Sequence, residues 1–248
     1  MTHNDPVIAI DDFHQRKIFG NIESNLDFLD ESNLLKSTDA ILEIGSGNGN
    51  LLNNLYHLGF DIKGIEINPV RIQESQTLYG NLPLSQVHSE ALPFPENSFD
   101  IVMSFDVFEH IPNSDQHLQE VRRVLKPEGL YIVQTPNKLT NSVFETIRWR
   151  SLTKWQADHC SLHTYWGMIK RLQNNGFDSI EFYDVPTVTD FFKVKVKTYM
   201  GWLGLAALKL VNPDRLPLSF RTNFFLTAKK IDRNQRLNNN QAYSSQTV

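Results

Sequence analysis

Short runs of apolar, β-favouring residues recur along the chain at Ala40 to Ile44, Asp61 to Ile67, Ser85 to His88, Phe99 to Ser104 and Leu130 to Gln134. Stretches with helical spacing separate most of them: Asn50 to Leu58, Pro69 to Tyr79 with proline in the first turn, and Leu118 to Leu125. Strand and helix in regular succession predict parallel pairing through right-handed crossovers, hence an open α/β sheet with helices on both faces. After the fifth strand the pattern loosens. Val143 to Leu152 and Thr164 to Asn175 read as helices, the second stopped by Gly176, and Phe177 to Val185 and Asn223 to Ala228 as strands. Thr189 to Val211 is aromatic and basic and reads as a helical insertion. Residues 1–37 are expected to form a helical cap, and the Asn/Gln/Ser-rich tail from Ile231 onward to be disordered.

With 248 residues, 40% hydrophobic and 21% charged, the chain suits one well-cored domain over residues 1–230 and excludes a disordered or collagen-like class. Its polar, acidic start predicts no secretion. The longest uncharged apolar stretch, Tyr199 to Leu208, is about half of the roughly 20 residues that a spanning helix needs. One cysteine, Cys160, allows neither an intrachain disulfide nor a multi-cysteine zinc site, in keeping with a cytoplasmic location. The net charge of -4 hides a division: residues 1–130 hold 20 acidic and 8 basic side chains, residues 131–248 hold 8 acidic and 16 basic. The basic half would attract an anionic substrate, nucleic acid or lipid head groups, unless it reflects surface composition alone.

The first strand runs into Gly45, Ser46, Gly47, Asn48 and Gly49, a turn in which side-chain-free residues let backbone approach a ligand. Dinucleotide folds want the third glycine one residue later, and no Lys-Ser/Thr pair follows for a phosphate cradle. Glu43, two residues before Gly45, would repel a phosphate and welcome an ammonium group. Glu66, 21 residues after Gly45 at the tip of the second strand, is placed to accept from both hydroxyls of a ribose. These features favour S-adenosylmethionine.

Residues 38–136 resemble the class I S-adenosylmethionine-dependent methyltransferases, in the branch of the ubiquinone- and menaquinone-biosynthesis enzymes. The motifs that carry the resemblance are Leu42 to Gly49, Gly64 to Glu66, Ala91 to Asp100, Phe108 to Pro112 and Val124 to Leu130. It implies a Rossmann-like, seven-stranded, mostly parallel sheet with an antiparallel last strand. It also places Glu43 near the methionine amino group, Glu66 on the ribose and Ile67 against adenine. The cofactor set is completed by Gly45, Ser46, Gly47, Gly49, Ala91 and Phe105. An acid common four residues before Leu92 is His88 in this chain, which leaves adenine recognition to Ser89, Glu90 or backbone.

Methyl transfer from a sulfonium needs alignment of nucleophile, methyl and sulfur, and a base only where the acceptor must lose a proton. His110 and His159 are the candidate catalytic bases; each also reads as a structural histidine. No metal site is expected: Asp106, Glu109 and His110 would suit magnesium, but neighbours on a regular helix diverge by about 100°. Zinc at His159, Cys160 and His163 lacks a fourth ligand. Trp149, Trp155, Tyr165 and Trp166 would line an aromatic acceptor pocket or simply pack.

The expected function is methylation of a small molecule on oxygen: a phenol, quinone precursor, sugar or secondary metabolite. Methylation on nitrogen or carbon, or cofactor binding without catalysis, are the alternatives. No nucleic acid is expected, since no RNA-binding module is present and the amino-methylation signature is replaced by Phe105 to Phe108. The oligomeric state is open. The apolar run near Trp202 is read as a lid that fills a gap between the last two strands, with at most weak membrane-surface contact.

Overall fold

The computed structural model describes residues 22–231. Strands β1 (Ala40–Ile44), β2 (Asp61–Glu66), β3 (Leu84–Gln86), β4 (Phe99–Phe105), β5 (Leu125–Pro136), β6 (Phe177–Tyr183) and β7 (Asn223–Lys230) form one seven-stranded sheet in the order 3-2-1-4-5-7-6. The first five pair in parallel, while β7 runs antiparallel to both β5 and β6. The helices are α1 (Ile22–Ser32), α2 (Asn50–His57), α3 (Pro69–Tyr79), α4 (Ser114–Val124), α5 (Lys138–Trp149), α6 (Tyr165–Asn174) and α7 (Asp190–Leu210). What was expected of residues 1–21 and of the tail from residue 232 lies outside the described residues.

Because β-strand side chains alternate, β1 feeds two cores. Ile41 packs with Phe28 and Leu29 of α1 and Leu51, Leu52 and Leu55 of α2. Leu42 and Ile44 point the other way, toward Leu118, Val121 and Val124 of α4 and Met168 and Leu172 of α6. The three α4 residues are fully buried, and each contributes about 1.5–3 kcal/mol from burial. Apolar contact on both faces is what lets parallel strands persist.

Three differences from the sequence reading have local causes. Strand β5 begins at Leu125 rather than Leu130, because the Lys126 to Gly129 turn is absorbed as an irregularity, with Glu128 at φ 62°. Helix α5 starts at Lys138, five residues early, because the Asn137 side chain caps it by accepting from the Leu139 amide. The insertion does not fill a gap between the last strands: β6 and β7 pair directly, so there is none, and α7 buries only Val196 and Gly204.

A directional polar chain crosses one of the cores. The Ser104 hydroxyl lies 2.8 Å from Tyr131 Oη, Tyr131 Oη 2.9 Å from His117 Nε2, and His117 Nδ1 3.4 Å from the Ser89 carbonyl. Since a carbonyl only accepts, His117 donates from Nδ1 and receives the tyrosine proton at Nε2. Burial pushes the His117 pKa down to about 4 and the Tyr131 phenol up. Between pH 6.5 and about 4 the unfolded chain therefore binds a proton that the folded one refuses. Against a His117→Gln variant, wild-type stability in urea unfolding should fall by up to roughly 3 kcal/mol as the pH drops through this window. A difference that does not change with pH would show that His117 is not held neutral.

Candidate active site

Parallel strands deliver their carboxyl ends to one edge of the sheet. The turn after β1, the turn after β4 and the start of α5 after β5 all meet there. Strand β7 begins at the same edge, since Asn223 lies opposite Pro136, so the β6–β7 insertion emerges there too.

The glycine turn is pinned to the next strand: the amides of Gly45 and Ser46 both donate to the Ile65 carbonyl, at 2.8 and 3.0 Å. All three glycines have positive φ. A Cβ on Gly45 would lie 2.3 Å from Val107, so the turn after β4 presses directly on the backbone. At Gly47 a Cβ would meet nothing within 4 Å, which makes this the open side of the cradle.

The two acids differ sharply. Glu66 is satisfied: Oε2 accepts from the Gly47 amide at 2.9 Å and Oε1 from the Asn68 amide at 2.8 Å, which ties the glycine turn to the tip of β2. Glu43 is buried and its Oε2 has no hydrogen-bond partner. Burial, aided by the nearby Glu66 charge, lifts its pKa to about 7 against the pull of Ser46 and the Leu52 backbone. A buried carboxylate with an orphaned oxygen suits a ligand that brings a cationic donor. Ile67, next to Glu66 in sequence, leaves an apolar side chain 53% exposed. Ser89 is tied through its carbonyl to His117 of α4, in the core rather than at the cradle. Ala91 is exposed, whereas Glu90 is engaged elsewhere: its carboxylate accepts from the Asn113 amide and its carbonyl from Gln116. Phe105 is packed among the core residues at the end of β4.

The turn after β4 is held open by Asp106, whose φ is 53°. Its amide donates to Gln134 Oε1 and Gln134 Nε2 donates back to its carboxylate, at 2.7 and 3.0 Å. Phe108 to His110 then form a 3-10 turn, not the regular helix on which neighbouring side chains would diverge. Glu109 Oε1 consequently lies 3.8 Å from His110 Nε2. Glu109 is buried and accepts from the Thr135 hydroxyl at 3.0 Å; burial, then the Asp106 and Asp158 charges, raise its pKa to about 8.

His110 Nδ1 sits 2.8 Å from the Asp158 carbonyl, so the neutral ring carries its proton there and its lone pair on Nε2. His159 arrives from 49 residues away and meets His110 edge to face, with ring centroids 4.9 Å apart. The Asn141 amide, 2.9 Å from His159 Nδ1, donates to that nitrogen in this orientation and leaves the ring proton on Nε2. Burial and then His110 lower the His159 pKa. One potential ligand atom from each of Glu109, His110 and His159 lies within 4.8 Å of the others, a spacing able to hold a divalent cation as well as to pass a proton. His163 is turned to the Ser161 carbonyl instead.

The four candidate pocket aromatics are dispersed. Trp155 is buried, Tyr165 packs on Phe182 and Phe224, Trp166 is exposed, and Trp149 donates to Glu145. Sequence reading missed Val107, Gln134 and Asn141. Only Gln134 left a trace, as a polar residue ending an apolar strand.

Comparison with known proteins bears on this site. Residues 42–133 match the methyltransferase domain family. A probable S-adenosylmethionine-dependent methyltransferase of Mycolicibacterium smegmatis is 29% identical over 102 residues, which are 41% of this chain and 40% of the relative. A ubiquinone/menaquinone biosynthesis C-methyltransferase of Hahella chejuensis is 33% identical over 113 residues, covering 42% of this chain and 45% of that protein. The match thus spans less than half of these curated relatives. Among solved structures, a putative sarcosine dimethylglycine methyltransferase from Galdieria sulphuraria superposes with a TM-score of 0.59 at 18% identity, covering 85% of both chains. The [4+2]-cyclase SpnF does so at 0.58 and 20%, covering 84% of this chain and 80% of that one. Both show the fold alone. The glycine turn, Glu43 and Glu66 all lie within residues 42–133, the stretch that is similar to the methyltransferase domain family and to these S-adenosylmethionine-dependent relatives.

Proposed function

We propose that this protein transfers the methyl group of S-adenosylmethionine to a hydroxyl oxygen of a small molecule such as a phenol, quinone precursor, sugar or secondary metabolite. The observation that carries the reading is the free lone pair on His110 Nε2, next to buried Glu109 at the edge of the sheet that bears the glycine cradle. In this reading Glu43 pairs with the methionine ammonium, Glu66 takes the ribose hydroxyls, and Gly47 lets the cofactor lie close to backbone. The acceptor hydroxyl gives its proton to His110 Nε2, and its oxygen attacks the methyl carbon as the carbon–sulfur bond breaks. Glu109, whose pKa of about 8 keeps it mostly protonated near neutral pH, stabilises the imidazolium only as it ionises in turn. His159, with its proton on Nε2, donates to the acceptor and orients it.

Methylation on carbon is the second reading. It is favoured by the C-methyltransferase among the relatives, and an activated aromatic acceptor would use the same base. The SpnF likeness keeps a third possibility in view, since a fold does not fix the chemistry grafted on it. Incubation with labelled cofactor and a panel of phenols, hydroxyquinones and sugars separates the three: an O-methyl ether supports the first reading, a ring-methylated product the second, and binding without turnover the third.

Two variants test the residue roles. Glu66→Ala should weaken cofactor binding in calorimetry by about 1.5–3 kcal/mol, the scale of hydrogen bonds to a charged group. Unchanged affinity in a folded variant would remove Glu66 from the ribose. His110→Ala should lower turnover by about 10²–10⁴ while cofactor affinity is kept, with a smaller loss for His159→Ala. Near-normal turnover in His110→Ala would leave alignment as the whole mechanism.

A further inference from the structure

Helix α7 is unusual on its own chain. It carries four lysines and one acid, Asp190, and it exposes Trp202 at 74%, Leu203 at 63% and Leu210 at 86%. The chain reverses at Gly201, whose φ of 65° and ψ of -157° are outside helical space. The two halves fold back on each other: a Cβ on Gly204 would lie 2.5 Å from Met200 Cβ and 2.9 Å from Val196 Cγ1. The reversal gathers what the sequence separates. Lys193, Lys197, Lys209 and Arg215 line one groove of about 710 Å³, together with apolar side chains such as Val194 and Leu205. Leu203 and Ala207 stand outside the groove and, with Leu210, which lines it, form an exposed stripe at i, i+4 and i+7, with Trp202 at the bend.

A second copy of the chain is a poor occupant for this surface, because a twofold contact would bring the same cations against one another. Among the described residues no helix is long and apolar enough to cross a membrane. An apolar stripe and a tryptophan bordered by basic groups match a surface that is deformable, apolar beneath and anionic above. Basic residues flank the bend on both sides, and the fold-back brings Lys193 and Lys197 from one half to the same groove as Lys209 and Arg215 from the other.

We propose that α7 seats this protein on bilayers that contain anionic phospholipid, with Trp202, Leu203 and Leu210 at the acyl boundary and Lys193, Lys197, Lys209 and Arg215 among the head groups. The element is anchored beside the active site, because Tyr199 packs on Phe144 of α5 and lies under the Arg148 guanidinium, at 6.0 and 5.3 Å. The proposal is independent of which acceptor is methylated.

Cosedimentation of the full chain with vesicles of phosphatidylcholine, alone or mixed with phosphatidylglycerol, tests it. Binding is expected with the mixed vesicles only, and it should weaken as salt is raised. Lys193→Gln, Lys197→Gln and Lys209→Gln combined should lower partitioning about a hundredfold, at roughly fivefold per lysine. Leu203→Glu with Leu210→Glu should abolish it, and calorimetric cofactor binding verifies that each variant is folded. Should the glutamate variant unfold, quenching of tryptophan fluorescence by brominated acyl chains, lost in Trp202→Phe, gives the same answer. Absence of binding to mixed vesicles, equal binding to both kinds, or binding indifferent to these substitutions would overturn the proposal. So would a dimer in sedimentation equilibrium that the glutamate substitutions dissociate, which would assign the face to a second copy.

Discussion

A carboxylate buried without a full set of partners at the tip of β1 is the constraint around which the rest of the site is arranged. Glu43 is affordable there only if it stays protonated or meets a cation, because an unpaired charge in that surrounding costs far more than its hydrogen bonds return. The surroundings make the second outcome available. The Ile65 carbonyl fixes the turn, Glu66 fixes the Gly47 amide, and the open space over Gly47 admits a ligand to backbone distance. The adjoining loop after β4 is set by equally specific contacts, with Val107 against Gly45 and Gln134 clamping Asp106. Positions along one sheet edge are thereby converted into a cradle and, one strand farther on, a pair of histidines.

Much of the fold was legible because the chain states it redundantly. Parallel strands buried on both faces read as continuous apolar runs, and the glycines and Pro69 punctuate them, so seven strands fall close to the expected places. The pairing of β6 with β7, and with it the exposure of α7, was not legible. Pairing is a long-range choice, and an apolar helix run reads the same whether it is buried in a gap or displayed on a surface. The Asn137 cap and the irregular start of β5 were missed because each depends on one backbone angle or one side-chain contact.

At the site, the residues visible in sequence were those whose chemistry is local to a turn: Gly45, Gly47, Gly49, Glu43 and Glu66. The meeting of His110 and His159 depends on a 3-10 turn and a returning segment, and neither leaves a spacing to read. The same 3-10 turn brings Glu109 and His110 together, where a regular helix would have kept them apart. Asn141 shows how far such dependence extends, since its one hydrogen bond decides which nitrogen of His159 carries the proton.

The central claim is that Glu43 waits for a cationic ligand, and it is measured most directly by proton linkage. In the free protein the group titrates near pH 7, so at lower pH it must give up its proton to pair with the methionine ammonium. Calorimetry of S-adenosylmethionine binding in buffers of different ionisation enthalpy should show close to one proton released per cofactor at about pH 6. The association constant should rise about eightfold between about pH 6 and about pH 7.5. Flat affinity with no proton release across that range would contradict it.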